Sequence, residues 1–131
     1  MTDPSNTELD LPVSAKPSRL NRADTGTDEE IVRAAERFEK FRVDYPQGYV
    51  EAVLDRVIEH PDGHVTYVLH AAAWKDRSMY DPGRADATAW AQGSTKDPNT
   101  IIAGSPLESA DTIARSRALR NLGILPERAA T

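Results

Sequence analysis

The stretch from Ser105 to Pro126 constrains this chain more than any other, because both ends of a helix and one of its faces are written into it. Ser105 suits the N-cap, Pro106 the first helical position, and Glu108 the return half of a capping box. Gly123 suits the left-handed residue after the last turn, and Pro126 forbids continuation. Between these bounds Leu107, Ala110, Ala114, Ala118 and Leu122 recur at three- and four-residue steps. The stripe is narrow and mostly alanine, so this helix can lie close against strands. Arg115, Arg117 and Arg120 fall elsewhere on the wheel, which would set positive charge on a rigid support.

Upstream, Thr27-Asp28-Glu29-Glu30 is a second capping box, with acids where the helix dipole favours them. Ile31, Ala34, Ala35, Phe38 and Phe41 mark its buried face, and Tyr45-Pro46 stops it. Tyr49–Glu59 and His64–Lys75 are rich in β-branched and apolar residues and flank Pro61-Asp62-Gly63, which predicts a hairpin. In the second strand Val65, Tyr67, Leu69, Ala71 and Ala73 share one face; His64, Thr66, Val68, His70, Ala72 and Trp74 share the other. A loop over Lys75–Arg84 precedes a third strand, Asp86–Thr95, with Ala87, Ala89, Ala91 and Gly93 on its small face. Thr88, Trp90 and Gln92 lie opposite, and Ile101–Gly104 leads into the last helix. The expected fold is α+β: helix, three-stranded antiparallel sheet, then a helix packed on one sheet face. Residues 27–126 form the single domain, with a flexible tail at 1–26 and a short one at 127–131. Leu9, Leu11 and Val13 are the apolar cluster of the first tail, read as solvated or as a short docking segment.

No cysteine is present, which excludes disulfides, thiolate metal sites and cysteine nucleophiles. No apolar run reaches membrane-spanning length, and the amino terminus lacks a signal-peptide layout, so a cytoplasmic protein is expected. The net charge of −5 means that any phosphate binding must come from a local cationic stripe, and must weaken with salt.

Three blocks carry a resemblance. Ala110-Asp111-Thr112, Arg117-Ala118-Leu119 and Leu122-Gly123-Ile124 follow a pattern A-E-T-x-A-x-G-R-A-L-x-x-x-G; Ala87-Thr88-Ala89-Trp90-Ala91-Gln92 is similar to A-T-G-x-A-E; Phe41-Arg42-Val43-Asp44-Tyr45-Pro46-Gln47-Gly48 is similar to F-R-x-x-Y-P-x-G. Read along the chain from 41–48 through 87–92 to 110–124, they resemble the Rad52/Erf-like group of phage single-strand annealing and single-stranded-DNA-binding proteins. Ser116 and Ala89 stand where that pattern has glycine, and Arg115 where it has an aliphatic residue. The resemblance implies a β-β-β-α core, single-stranded DNA as partner, and self-assembly into a ring or filament. It implies no cofactor.

The residues themselves support no catalytic reading. His64 and His70 share a strand face about 20 Å apart by strand rise, too far for joint metal coordination. His60 and His64 bracket the hairpin turn beside Asp62 and can approach each other, but they read as surface residues. Glu51 with Asp55 reads as a solvated strand surface, and Glu108 with Asp111 as helix-terminal acids. There is no nucleophile elbow and no phosphate-cradling glycine loop. For nucleic acid the candidates are Arg115, Arg117 and Arg120 on the last helix, and Lys75, Arg77, Arg84 and Tyr80 around the second loop. An exposed aromatic there would stack on a base for ~1–3 kcal/mol. Trp74 and Trp90 read as core if their sheet face is covered. Arg117 keeps two readings, DNA contact or a structural pair with Glu108, Asp111 or a neighbouring subunit. The expected function is single-stranded-DNA binding in phage-type recombination or replication. The alternative is a small non-catalytic protein-interaction module on the same fold.

Overall fold

The computed structural model describes residues 26–126. In chain order the elements are α1 (Asp28–Asp44), β1 (Tyr49–Glu59), β2 (Val65–Trp74), a 3-10 turn (Arg77–Met79), β3 (Ala87–Ser94), α2 (Thr100–Gly104) and α3 (Pro106–Leu122). The tails at 1–25 and 127–131, with Leu9, Leu11 and Val13, lie outside the described residues.

Both halves of the Thr27 capping box form, each at 3.2 Å, so α1 starts where its sequence says. Its end falls at Tyr45-Pro46, also as expected. Gly48 passes so close to Phe41 that a Cβ there would sit 2.4 Å from the ring, which is why the turn into β1 takes glycine. The hairpin turn places Gly63 at φ +94, and the strands pair antiparallel in the order β1-β2-β3. Tyr49 lies opposite Trp74 and Glu59 opposite Val65, with one irregularity, a bulge at Asp55. Between β2 and β3, Thr66 lies opposite Ser94 and Ala73 opposite Ala87.

The small faces then do what their size allows. Ala110, Ala114 and Ala118 of α3 pack with Ala71, Ala73, Ala89 and Ala91 of the sheet in one core with Leu69, Ile113 and Leu119. At the tightest point a Cβ on Gly93 would lie 2.3 Å from the Pro106 carbonyl oxygen. Because that neighbour is backbone, relief requires moving the helix. Gly93→Ala is therefore expected to destabilise by about 1–3 kcal/mol, read as a lower urea midpoint at unchanged slope.

Five details differ from the sequence reading. Ala35, expected on the buried face of α1, is exposed, and Arg37 is buried instead. Ser105 makes no side-chain cap bond, so its capping box is not closed and Pro106 alone marks the start of α3. The chain instead enters through α2, capped by Asn99, whose side chain accepts from the Ile101 and Ile102 N–H groups. Leu107 is exposed, whereas Ile113, Ser116, Arg117 and Leu119 are buried, because α1 covers the side of α3 that faces away from the sheet. Gly26 is buried rather than part of a tail, since Ile113 fills the space its side chain would need.

Candidate nucleic-acid interface

The arginines of α3 do not form an outward row. Arg117 is 6% exposed. Its Nε and one terminal nitrogen donate to the two Glu30 carboxylate oxygens at 2.6 and 2.8 Å, and the other terminal nitrogen donates to the Trp90 carbonyl at 2.9 Å. Arg120 approaches the same carboxylate at 3.7 Å. Burial pushes the Glu30 carboxyl up, but the Arg117 hydrogen bonds and the Arg117 and Arg120 charges outweigh it and hold it below the ordinary value. The expected partners of Arg117, Glu108 and Asp111, are thus replaced by Glu30 of α1, and Asp111 is taken by Arg115 at 2.5 Å. Arg115 also donates to the Val50 carbonyl at 3.2 Å, and its side chain stays about a third exposed.

Sequence reasoning missed Arg37. It lies on the apolar face of α1, fully buried, and donates to the Ile124 carbonyl at 2.8 Å, to Ser116 Oγ at 2.9 Å and to the Leu125 carbonyl. Ser116, at the resemblance pattern's glycine position, accepts one of these bonds. A cation between Ala34 and Phe41 on a buried face is the signal that could have found it.

The structure does bring several candidates together, at the end of the sheet where α1 meets β1. The Arg77 N–H donates to the Gln47 carbonyl at 2.7 Å, which ties the loop after β2 to the α1–β1 turn. Asp76 caps that loop by accepting from the Ser78 N–H and hydroxyl, bonds that hold its carboxyl below the usual range. The Arg77 guanidinium then lies 4.4 Å over the Tyr49 ring, and the Lys75 ammonium 5.9 Å from the centre of the Tyr45 ring. Beside them an open pocket of about 370 Å³ is lined by Phe38, Phe41, Arg42, Tyr49 and Arg115, among others. Arg42 and Tyr45 belong to the F-R-x-x-Y-P-x-G block, in which the sequence signals only a turn. Tyr80, half-exposed, packs on Tyr49 and Trp74 and donates its hydroxyl to Glu51 at 3.3 Å; burial first, then that carboxylate, push its phenol up. Arg84 sits exposed in the turn after Asp81, farther along the same loop.

The sheet face away from the helices has a different character. Trp74 is 1% exposed there, covered by Tyr49 of β1 and by Tyr80 of the loop after β2. Trp90 is half-buried against His70, with ring centres 4.3 Å apart, and burial pushes the His70 imidazole down despite nearby Asp55. A shallow pocket of about 220 Å³ is lined by Glu51, Val53, Asp55, His70, Ala72 and Pro82. Of its two carboxylates, Asp55 pairs with Arg56 at 3.1 Å and Glu51 accepts from the Tyr49 and Tyr80 hydroxyls. At the far hairpin end His60 and His64 stack 3.8 Å apart, and Asp62 pairs with both His64 and Lys96. Among the described residues no group of three or more His, Cys, Asp or Glu could hold a metal ion, and no helix is long and apolar enough to cross a membrane.

No family model, no curated protein and no solved structure matches this chain.

Proposed function

We propose that the protein is a non-catalytic single-stranded-DNA-binding protein that works as a homo-oligomer and uses the cationic and aromatic pole around Tyr49. The single observation that carries this reading is the Arg77 guanidinium stacked over Tyr49, with Lys75 beside Tyr45 and Arg42 and Arg115 on the adjoining pocket. The exposed cations supply phosphate neutralisation, and the half-exposed Tyr80 packed against Tyr49 supplies an aromatic surface for stacking, the two contacts an unpaired strand needs. Binding of this kind is passive and needs no nucleotide or metal. Bases held by one face keep their pairing edges free, as annealing to a complement requires. The three-block resemblance to the Rad52/Erf-like annealing group supports the same reading, since one of its blocks builds this pole.

The test is anisotropy of a labelled oligothymidylate against salt. About three phosphate contacts give a log–log slope near −2, or roughly a twentyfold loss of affinity from 50 to 200 mM salt. Absence of salt-sensitive binding at the lower concentration overturns the reading. It would favour the second one, a protein-interaction module, which has its own support: Arg117 and Arg120 are engaged by Glu30, Arg115 by Asp111, and Arg56 by Asp55.

A further inference from the structure

A three-stranded sheet has two edges, and the described residues close only one of them. Along β3 the outward carbonyls of Thr88 and Trp90 accept from Asn121 and Arg117 of α3, so side chains occupy that edge. Along β1 only the first residues are served in this way, by Arg115 at the Val50 carbonyl. From Val53 to Glu59 the strand is exposed, and among the described residues it pairs with β2 alone. An open edge of this length is a template for another strand unless something covers it.

The exposed stretch is also apolar on both faces. Val53 and Ile58 lie opposite His70 and Thr66, on the open face; Leu54 and Val57 lie opposite Leu69 and Tyr67, on the helix face. They are 56%, 37%, 43% and 44% exposed, respectively. Residues five apart in a regular strand point to opposite sides. The bulge at Asp55 removes that mismatch and puts Val53 and Ile58 on one face.

We propose that two copies of the chain join edge to edge through β1, antiparallel, about a two-fold axis between Asp55 and Arg56. In this register Val53 faces the partner's Ile58, Leu54 faces the partner's Val57, and Asp55 faces the partner's Arg56. Every apolar side chain then meets an apolar one on its own face, and the central charges are opposite. The hydrogen-bonding phase agrees. Counting in twos from the outward Val50 carbonyl, and across the bulge, Leu54 and Val57 both turn their N–H and C=O to the free edge. A head-to-tail join of β1 to β3 lacks this agreement, because α3 already engages the β3 edge. The interface is isologous and closed. It leaves the two Tyr49 poles uncovered, roughly 40 Å apart along the strands by strand rise. This inference deepens the self-association part of the proposed function and rests on that reading only there.

Sedimentation of the full chain without nucleic acid tests it. The wild-type chain should sediment as a dimer. Asp55→Arg, which sets like charges across the axis, should weaken the dimer at least tenfold, as should Val57→Lys. Asp55→Arg combined with Arg56→Asp should restore it. All are exposed positions, so melting temperature should hold to within a few degrees. A monomeric wild type, a dimer indifferent to Asp55→Arg, or a double exchange without recovery overturns the interface. So does loss of the dimer on removing residues 1–25 alone, which would make that segment the occupant of the edge. If oligonucleotide binding persists in a monomeric wild type, the interface falls and the DNA reading stands. A dimer that responds to Asp55→Arg but binds no oligonucleotide keeps the interface and removes the DNA reading.

Discussion

Arg117→Ala is expected to lower the unfolding free energy by about 3–5 kcal/mol, while binding per folded molecule stays unchanged. The loss follows from what the truncation leaves behind. Glu30 keeps its largely buried carboxylate but loses both short bonds, and the Trp90 carbonyl loses its donor. Breaking one side of a buried ion pair costs more than the pair contributes, because the stranded charge stays out of water. For a domain of this size the change corresponds to a fall of roughly 10–25 °C in melting temperature. Replacing both partners by apolar residues, Arg117→Met with Glu30→Leu, should recover much of the loss. The pH dependence has a definite sign. The Glu30 carboxyl sits below its ordinary value of 4.5 in the folded chain. Its contribution is therefore complete above that value and is lost as pH falls through it toward the folded pKa. Glu30→Gln should flatten the acid limb of a stability–pH curve. A binding defect at full folding, measured in the cold for Arg117→Ala, would instead place this arginine on the nucleic acid.

Lys75→Glu together with Arg77→Glu is expected to weaken oligonucleotide binding about a hundredfold or more at low salt, and to make the salt slope shallower by roughly 1.4, two of the three contacts. Each reversal removes a phosphate contact and adds repulsion, and 1.4 kcal/mol at each site is a factor of ten. Both side chains are exposed, so the fold should lose no more than the stacking of Arg77 on Tyr49, about 0.5–1 kcal/mol. Lys96→Glu is the matched control. It makes the same charge change as either single reversal, at the opposite end of the sheet, where Lys96 pairs with Asp62, and it should leave binding nearly unaltered. Equal losses for Lys96→Glu and for a single reversal at the pole would reduce the effect to net charge and remove the pole from the site.

The elements are legible because their signals are local. The Thr27 box, Tyr45-Pro46, Pro61-Asp62-Gly63 and Gly123 each act within a few residues, and all four end or turn the chain where expected. The small faces of β2, β3 and α3 are legible for a related reason: period two and period 3.6 are readable in one dimension, and alanine against alanine leaves few ways to pack. The Ser105 box misleads because the same residue closes α2, where its N–H donates to Ile101 and Ile102 carbonyls. The candidate site divides along the same line. Lys75, Arg77 and Tyr80 sit in one loop and stay together, whereas Arg117 and Arg120 turn inward.

What the sequence determined by itself was the order of the main elements, most of their ends, and which face of each strand carries the small side chains. The tertiary structure alone decided which charges remain for a partner. A guanidinium reads the same in a sequence whether water or a carboxylate surrounds it, and Glu30 lies 87 residues from Arg117. Only when α1 docks on α3 do these two meet. The same docking leaves the cations near Tyr49 on the surface and the β1 edge without a neighbour among the described residues.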